Sequence, residues 1–235
     1  MSELHDIVFL IDCDNTLFDN DRLQNDLSDH LTREFGADCR DRYWEIYEER
    51  RAELGFADYL GALQLFRIRH VRDNRLLAMS SFLVDYPFAH DLYPRAIDVI
   101  RHLRAFGLTV ILSDGDVVFQ PRKIERSGLW RAVDGRVLIY IHKEEMLDAV
   151  AEQYPARHYV MIDDKLRILA KMKAIWRDRL TTVFPRQGHY ATDAGTLAMY
   201  PPADLSVERI GDLLAYPRSA FAGDGTAKGL QERSS

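Results

Sequence analysis

Ile7-Val8-Phe9-Leu10-Ile11-Asp12-Cys13-Asp14-Asn15-Thr16 is the stretch on which the fold turns, because five apolar residues run without a break into Asp12. A short run of this kind, rich in β-branched residues and closed by polar ones, predicts a strand buried on both faces. Its polar end is then the carboxyl end of a strand, which is where ligands bind in open α/β sheets. Asp12 and Asp14 are two residues apart and point the same way if strand geometry persists. Like charges held close repel and raise one pKa unless a cation joins them. Mg²⁺, which prefers hard oxygen ligands, would remove that conflict. The plainer alternative is a strand followed by an Asx-rich turn, since Asp and Asn favour turns.

The composition narrows the field. A chain of 235 residues suits one α/β domain with an insertion, or two small domains. Its 47% hydrophobic and 29% charged content fits an ordinary soluble globular protein. The net charge of −6 argues against a dedicated nucleic-acid binder. The residues before Ile7 are few and polar, unlike a signal peptide, and no apolar run is long enough to span a membrane. Cys13 and Cys39 suggest no disulfide framework. A cytoplasmic protein is expected.

From Asp21 to about Tyr93 no strong strand is predicted. Leu23, Leu27, Leu31 and Phe35 recur every four residues with Gly36 behind them, which is an amphipathic helix and its stop. Asp41–Leu54, Phe56–Phe66 and Arg75–Val84 continue the helical pattern. Tyr43, Trp44 and Tyr47 are at helical spacing and read as core. Arg67, Arg69, His70, Arg72 and Arg75 form a basic cluster. It either faces the site and holds an anionic substrate or, as is commoner, forms a solvated helix face.

Strands and helices then alternate. A helix carrying Ile97, Ile100, Leu103 and Phe106 ends at Gly107. The strand Leu108–Leu112 runs into Ser113-Asp114-Gly115-Asp116. A short helix over Gln120–Ser127 precedes the strand Val137–Ile141, after which His142-Lys143-Glu144-Glu145 opens a helix through Gln153. His158–Ile162 is a strand ended by Asp163-Asp164. A helix over Lys165–Trp176 leads to the strand Leu180–Phe184. Arg186–Tyr190 reads as a surface loop, with His189 or Arg186 able to approach the site. Val207, Ile210, Leu213 and Leu214 predict a last helix, and residues 217–235 a flexible tail.

Asp12-Cys13-Asp14-Asn15-Thr16 after its strand resembles the aspartate signature of the haloacid dehalogenase-like superfamily. Ser113 at a strand end, Lys143 at a helix start and Asp163-Asp164 at a further strand end resemble its second, third and fourth motifs, in the family's order. The resemblance covers roughly Ile7 to Leu214. It implies an α/β fold: a Rossmann-like parallel sheet of order 5-4-1-2-3 with an inserted α-helical cap. The core domain would be residues 1–20 and 88–216, and the cap 21–87.

The resemblance also implies roles. Asp12 would be the nucleophile that takes a phosphoryl group, and Asp14 the general acid/base. Thr16 would brace the turn. Ser113, Lys143 and the backbone N–H groups of Asp114 and Gly115 would bind the substrate phosphate. Mg²⁺ would be held by Asp12, the Asp14 carbonyl, Asp163 and Asp164. The family's commoner fourth motif has a later acid, where this chain has Arg167 and Ile168. Which of Asp163 and Asp164 is the direct ligand therefore stays open, with Asp163 favoured and Lys165 a further partner for the acids. Lys123 competes with Lys143, which is favoured because it follows a strand.

The activity implied is that of a Mg²⁺-dependent phosphatase acting on a small organic phosphate ester through an aspartyl-phosphate. A phosphomutase and a non-catalytic binding or scaffold member are the alternatives. Dehalogenating members of the superfamily lack the second Asp of the first motif, because a halide leaves without a proton, and Asp14 is present here. The expected partner is a small phosphorylated molecule, not nucleic acid or membrane.

Overall fold

The first strand, β1 (His5–Ile11), is buried on both faces because helices cover both sides of its sheet. The computed structural model describes residues 3–68 and 70–222. Four α-helices of the insertion follow β1: α1 (Asn20–Phe35), α2 (Ala37–Leu54), α3 (Tyr59–Ile68) and α4 (Arg75–Val84). The α/β part resumes with α5 (Ala96–Arg104), β2 (Leu108–Asp114), α6 (Phe119–Arg126), α7 (Leu129–Ala132) and β3 (Val137–Tyr140). It continues through α8 (Leu147–Gln153), β4 (Ala156–Ile162), α9 (Leu166–Trp176) and β5 (Leu180–Pro185). It closes with α10 (Gly188–Thr192), α11 (Ala194–Met199) and β6 (Leu205–Val207).

The sheet is parallel throughout, in the order β3-β2-β1-β4-β5-β6. This is a Rossmann-like α/β sheet with an α-helical insertion after its first strand. The five expected strands keep their expected neighbours, and the order is corrected by a sixth strand beside β5. Alternation along β1 divides the core. Ile7, Phe9 and Ile11 face the apolar cluster that includes α5, α6 and the inserted helices, whereas Val8 and Leu10 face α8 and α9. The insert thus shares one continuous apolar cluster with the sheet. Tyr43 and Tyr47 are buried in it.

Other expectations need correction. Val207 does not begin a helix. It ends β6, and Ile210–Ala215 is a separate 3₁₀ segment. Asp204 holds β6 against β5 by accepting from the Thr182 N–H at 2.8 Å and its hydroxyl at 2.9 Å. The helix expected from Lys143 to Gln153 is broken at Met146 into a 3₁₀ turn, Lys143–Glu145, and α8. The Lys143 N–H is diverted to Asp114 Oδ1 at 2.7 Å. Pro217–Ala222 is not a loose tail. Phe221 is fully buried, with its ring 5.4 Å from that of Phe9. Residues 223–235 of the expected tail, and Arg69 of the basic cluster, lie outside the described residues. Among the described residues no helix is long and apolar enough to cross a membrane.

Candidate active site

The strand order reverses between β1 and β4, and their carboxyl ends converge there. The Asp12 N–H continues the ladder to the Ile162 carbonyl at 2.9 Å, and the Asp163 N–H does the same to Val183 at 3.1 Å. Beyond Asp12 the chain turns tightly. The Cys13 carbonyl accepts from the N–H groups of Leu17 and Phe18, each at 2.9 Å. Asn15 takes a left-handed conformation, φ 58°, which Asn tolerates better than most residues. Its Oδ1 accepts from the Asn20 and Asp21 N–H groups at the start of α1, so the turn also caps that helix. Thr16 Oγ1 accepts from the Asp164 N–H at 3.1 Å and ties the turn to the end of β4.

Asp12, Asp163 and Asp164 each bring a carboxylate oxygen within 4.8 Å of the others, and all three are buried. Lys143 is fully buried beside them. Its Nζ donates to Asp12 Oδ1 and lies 2.7 Å from Asp163 Oδ2, an ion pair without hydrogen-bond alignment. Asp12 Oδ2 and both Asp164 oxygens have no partner. Burial pushes Asp12 up to about 7; Lys143 opposes that rise and Asp163 adds to it. Burial also pushes Asp164 well above the usual carboxylate range, with Lys165 opposing. Burial works against the Lys143 charge, yet Asp12, Asp163 and Asp114 together hold its pKa well above the ordinary lysine value. Lys143 touches Asp12 and Asp163 directly, Lys165 acts on the acids through charge alone, and the nest still holds carboxylate oxygens without a partner. An all-oxygen donor set with orphaned buried oxygens fits a hard divalent cation.

Asp14 sits in different surroundings. Its side chain is 20% exposed. Oδ1 accepts from Lys123 Nζ at 2.6 Å, and Oδ2 accepts from Gln120 Nε2 at 3.3 Å. Gln120 also donates to Ser113 Oγ at 2.9 Å, linking the end of β2 to that of β1. Gly115 is required there, since a Cβ on it would lie 2.8 Å from the Gln120 Cβ and Cγ. The Gly115 N–H donates to the Tyr140 carbonyl at 3.0 Å, so in this conformation it does not serve the expected phosphate contact. Cys13 points into the apolar cluster, and burial pushes its thiol well up, which leaves it an inert core residue.

A cavity of about 300 Å³ opens above these groups. Asp14, Asp114 and Lys165 line its floor, Tyr47 and Arg51 of α2 its roof, and Tyr190 one wall. Arg51 Cζ and Lys165 Nζ lie 5.6 Å and 5.1 Å from the Tyr190 ring centroid, and all three residues line the cavity. The segment Arg186–Tyr190, read as a surface loop, is in fact built into the site. Gln187 Nε2 donates to the Thr16 carbonyl at 3.2 Å, and His189 Nδ1 lies 2.6 Å from Asp21 Oδ1. Gly188 has φ +70° and packs on Asn15, where a Cβ would come within 2.6 Å. Arg67, His70, Arg72 and Arg75, the described residues of the basic cluster, do not line this cavity.

The structure therefore brings together Asp12, Asp14, Thr16, Ser113, Asp114, Lys143, Asp163 and Asp164. It gives Lys123, weighed only as a rival to Lys143, its own place on Asp14. Gln120 was missed. A signal existed, since Gln120 and Lys123 are polar residues on the helix face that carries Phe119 and Ile124.

A family model for haloacid dehalogenase-like hydrolases matches residues 8–174. Among solved structures, a haloacid dehalogenase-like hydrolase of Burkholderia xenovorans LB400 is 67% identical, covering 92% of this chain and 98% of that one with a TM-score of 0.87. A haloacid dehalogenase-like family hydrolase of Xanthomonas campestris is 19% identical over 92% of each chain, with a TM-score of 0.61. The L-2-haloacid dehalogenase of Xanthobacter autotrophicus is 17% identical, covering 88% of this chain and 96% of that one with a TM-score of 0.58. These two share the fold alone. Comparison with curated proteins finds no match. The family match and the identity to the Burkholderia structure establish that this chain belongs to the haloacid dehalogenase-like hydrolases.

Proposed function

We propose that the protein is a Mg²⁺-dependent phosphohydrolase that cleaves a small organic phosphate ester through an aspartyl-phosphate on Asp12. The observation that carries this reading is Asp14, a carboxylate at the cavity floor two residues beyond Asp12. A halide leaves as an anion, but an alkoxide leaving group needs a proton, and Asp14 would give it. The cavity of about 300 Å³ suits a small substrate. The inserted helices form a cap over residues 21–87, and the remainder through residue 216 forms the core. The free thiols Cys13 and Cys39 fit a reducing, cytoplasmic setting.

In the first step an Asp12 oxygen attacks phosphorus in line, and the bond to the ester oxygen breaks. Asp14 gives that oxygen its proton. Lys143 offsets charge on the transferring phosphoryl group, and Ser113 donates its hydroxyl to a phosphoryl oxygen. In the second step Asp14 takes a proton from water, the water oxygen attacks phosphorus, and Asp12 is released as carboxylate with inorganic phosphate. Asp12, Asp163, Asp164 and the Asp14 carbonyl would hold Mg²⁺, which when bound neutralises charge on phosphoryl oxygens.

The test is phosphate release from p-nitrophenyl phosphate and from sugar, hydroxy-acid and nucleoside phosphates, with Mg²⁺ and with chelator. The unaltered protein and Asp12→Asn are run together, with halide release from 2-haloacids in parallel. Mg²⁺-dependent phosphate release lost in Asp12→Asn is expected. Halide release without phosphate release would overturn the reading, as would phosphoryl transfer between bound sugars with no free phosphate.

A further inference from the structure

Lys123 is a buried ammonium to which the reaction above gives no role. It stands on α6 with no exposure to solvent. Its Nζ donates to Asp14 Oδ1 at 2.6 Å and to Asn20 Oδ1 at 3.1 Å. The same atom lies 5.2 Å and 5.5 Å from the ring centroids of Phe18 and Phe119. A charge in such a place is stable only when paired and hydrogen-bonded. Asn20, at the start of α1, donates from Nδ2 to the Tyr59 hydroxyl at 3.1 Å. Tyr59 belongs to α3 of the inserted helices, and its ring packs 5.1 Å from Phe119 and 4.9 Å from Tyr47. Gln24 Nε2 also donates to the Tyr59 hydroxyl, at 3.1 Å. A continuous path of hydrogen bonds thus runs from the insert through Asn20 and Lys123 to Asp14.

We infer that Lys123 is a positioning residue that holds the Asp14 carboxyl group against the leaving-group oxygen, and that the cap reaches it through Tyr59 and Asn20. The inference rests on the phosphohydrolase reading. Lys123 fixes Oδ1 while Gln120 holds Oδ2. Without the ammonium only the 3.3 Å hydrogen bond from Gln120 restrains the carboxyl group, which can then rotate out of reach of the ester oxygen. Proton delivery needs hydrogen-bond contact, and it matters most for esters whose leaving group is a poor one. An aliphatic alkoxide depends on that proton, whereas a p-nitrophenolate leaves without it. The mark of a displaced Asp14 is therefore a loss that depends on the leaving group.

The experiment compares kcat/KM for p-nitrophenyl phosphate with kcat/KM for the aliphatic phosphate ester that the protein hydrolyses fastest, because kcat/KM reports the departure of the leaving group and not the later hydrolysis of the aspartyl-phosphate, in which Asp14 also serves. The unaltered protein, Lys123→Met and Tyr59→Phe are measured with Mg²⁺, and their thermal midpoints are recorded. In Lys123→Met the aliphatic-to-aryl ratio should fall by about ten-fold or more. In Tyr59→Phe, which keeps the ring and removes one hydroxyl, it should fall by roughly two- to five-fold. If Lys123→Met does not fold, the Tyr59→Phe ratio decides. An equal loss on both esters, or none, would overturn the inference and leave the phosphohydrolase reading standing. Hydrolysis of aryl esters alone would overturn it too, because Asp14 would then have no such proton to place. No phosphate from any ester with the unaltered protein would overturn the phosphohydrolase reading, and the inference with it.

Discussion

The buried acids make the metal-free protein sensitive to alkaline pH, and Asp12 sets the scale. Asp12 is 3% exposed, and burial raises its pKa from 3.8 to about 7 in the folded state. Between those two values the unfolded chain has lost the proton that the folded chain still binds. Stability therefore falls as pH rises, by about 1.4 kcal/mol per unit, and levels off above the folded pKa. From pH 5 to pH 8 only the interval up to about 7 counts, which gives a loss of about 3 kcal/mol from Asp12. Asp164 shifts in the same direction and adds to it. The assay is urea unfolding at pH 5, 6, 7 and 8 with chelator present, for the unaltered protein and for Asp12→Asn. Asn cannot ionise, so the substituted protein should lose markedly less stability over this interval. With excess Mg²⁺ the acids are held ionised, and the decline should shrink or vanish in the unaltered protein. A metal-free protein whose stability rises from pH 5 to pH 8, or an Asp12→Asn variant with an undiminished slope, would refute the reasoning.

Three further outcomes follow from named contacts. Asp164→Asn removes an unpaired buried carboxylate, so the metal-free protein should gain roughly 1–3 kcal/mol in urea while the rise in thermal midpoint on adding Mg²⁺ disappears. Gly115→Ala places a Cβ against Gln120, which should cost about 1–3 kcal/mol and, by displacing Gln120 from Asp14 and Ser113, lower kcat in the phosphate-release assay. Arg51 reaches the cavity from the insert, so Arg51→Gln should raise KM by about ten-fold for phosphate esters that carry a second anionic group; an unchanged KM would exclude that contact.

Much of the fold was legible because the strands of a parallel sheet covered on both sides announce themselves as apolar runs, as Ile7–Ile11 and Val160–Ile162 do. Asp12, Ser113 and Asp163 were legible for the same reason, since each follows such a run. What stayed hidden depends on distant partners. Strand β6 has three residues and owes its place to Asp204 accepting from Thr182, a contact across the sheet edge that no local pattern encodes. The wall at Arg186–Tyr190 reads locally as a polar loop with a glycine. It joins the site because Gly188 packs on Asn15 and Gln187 holds the Thr16 carbonyl, 171 residues away in sequence. Lys123 was ambiguous because a helical lysine is ordinarily exposed, and its partner Asp14 lies 109 residues earlier.

The two lysines answer a question that the Asp-x-Asp spacing alone poses: how acids two residues apart come to do different work. Strand geometry would send both into one environment, but the chain leaves strand geometry at Asp12 and turns at Asn15. Asp12 stays in the closed nest with Asp163 and Asp164, where Lys143 arrives from the end of β3. Asp14 emerges at the cavity floor, where Lys123 arrives from the helix after β2. Each carboxylate thus has its own ammonium, supplied by a different crossover of the sheet. Environment assigns the roles in such pairs. A nucleophile benefits from enclosure beside a cation site, and an acid/base must touch both the leaving oxygen and water. On this division, exchanging the acids' surroundings should be far more damaging than altering their spacing would suggest. It also follows that Lys123 cannot stand in for Lys143, since each ammonium is committed to a carboxylate on a different side of the turn.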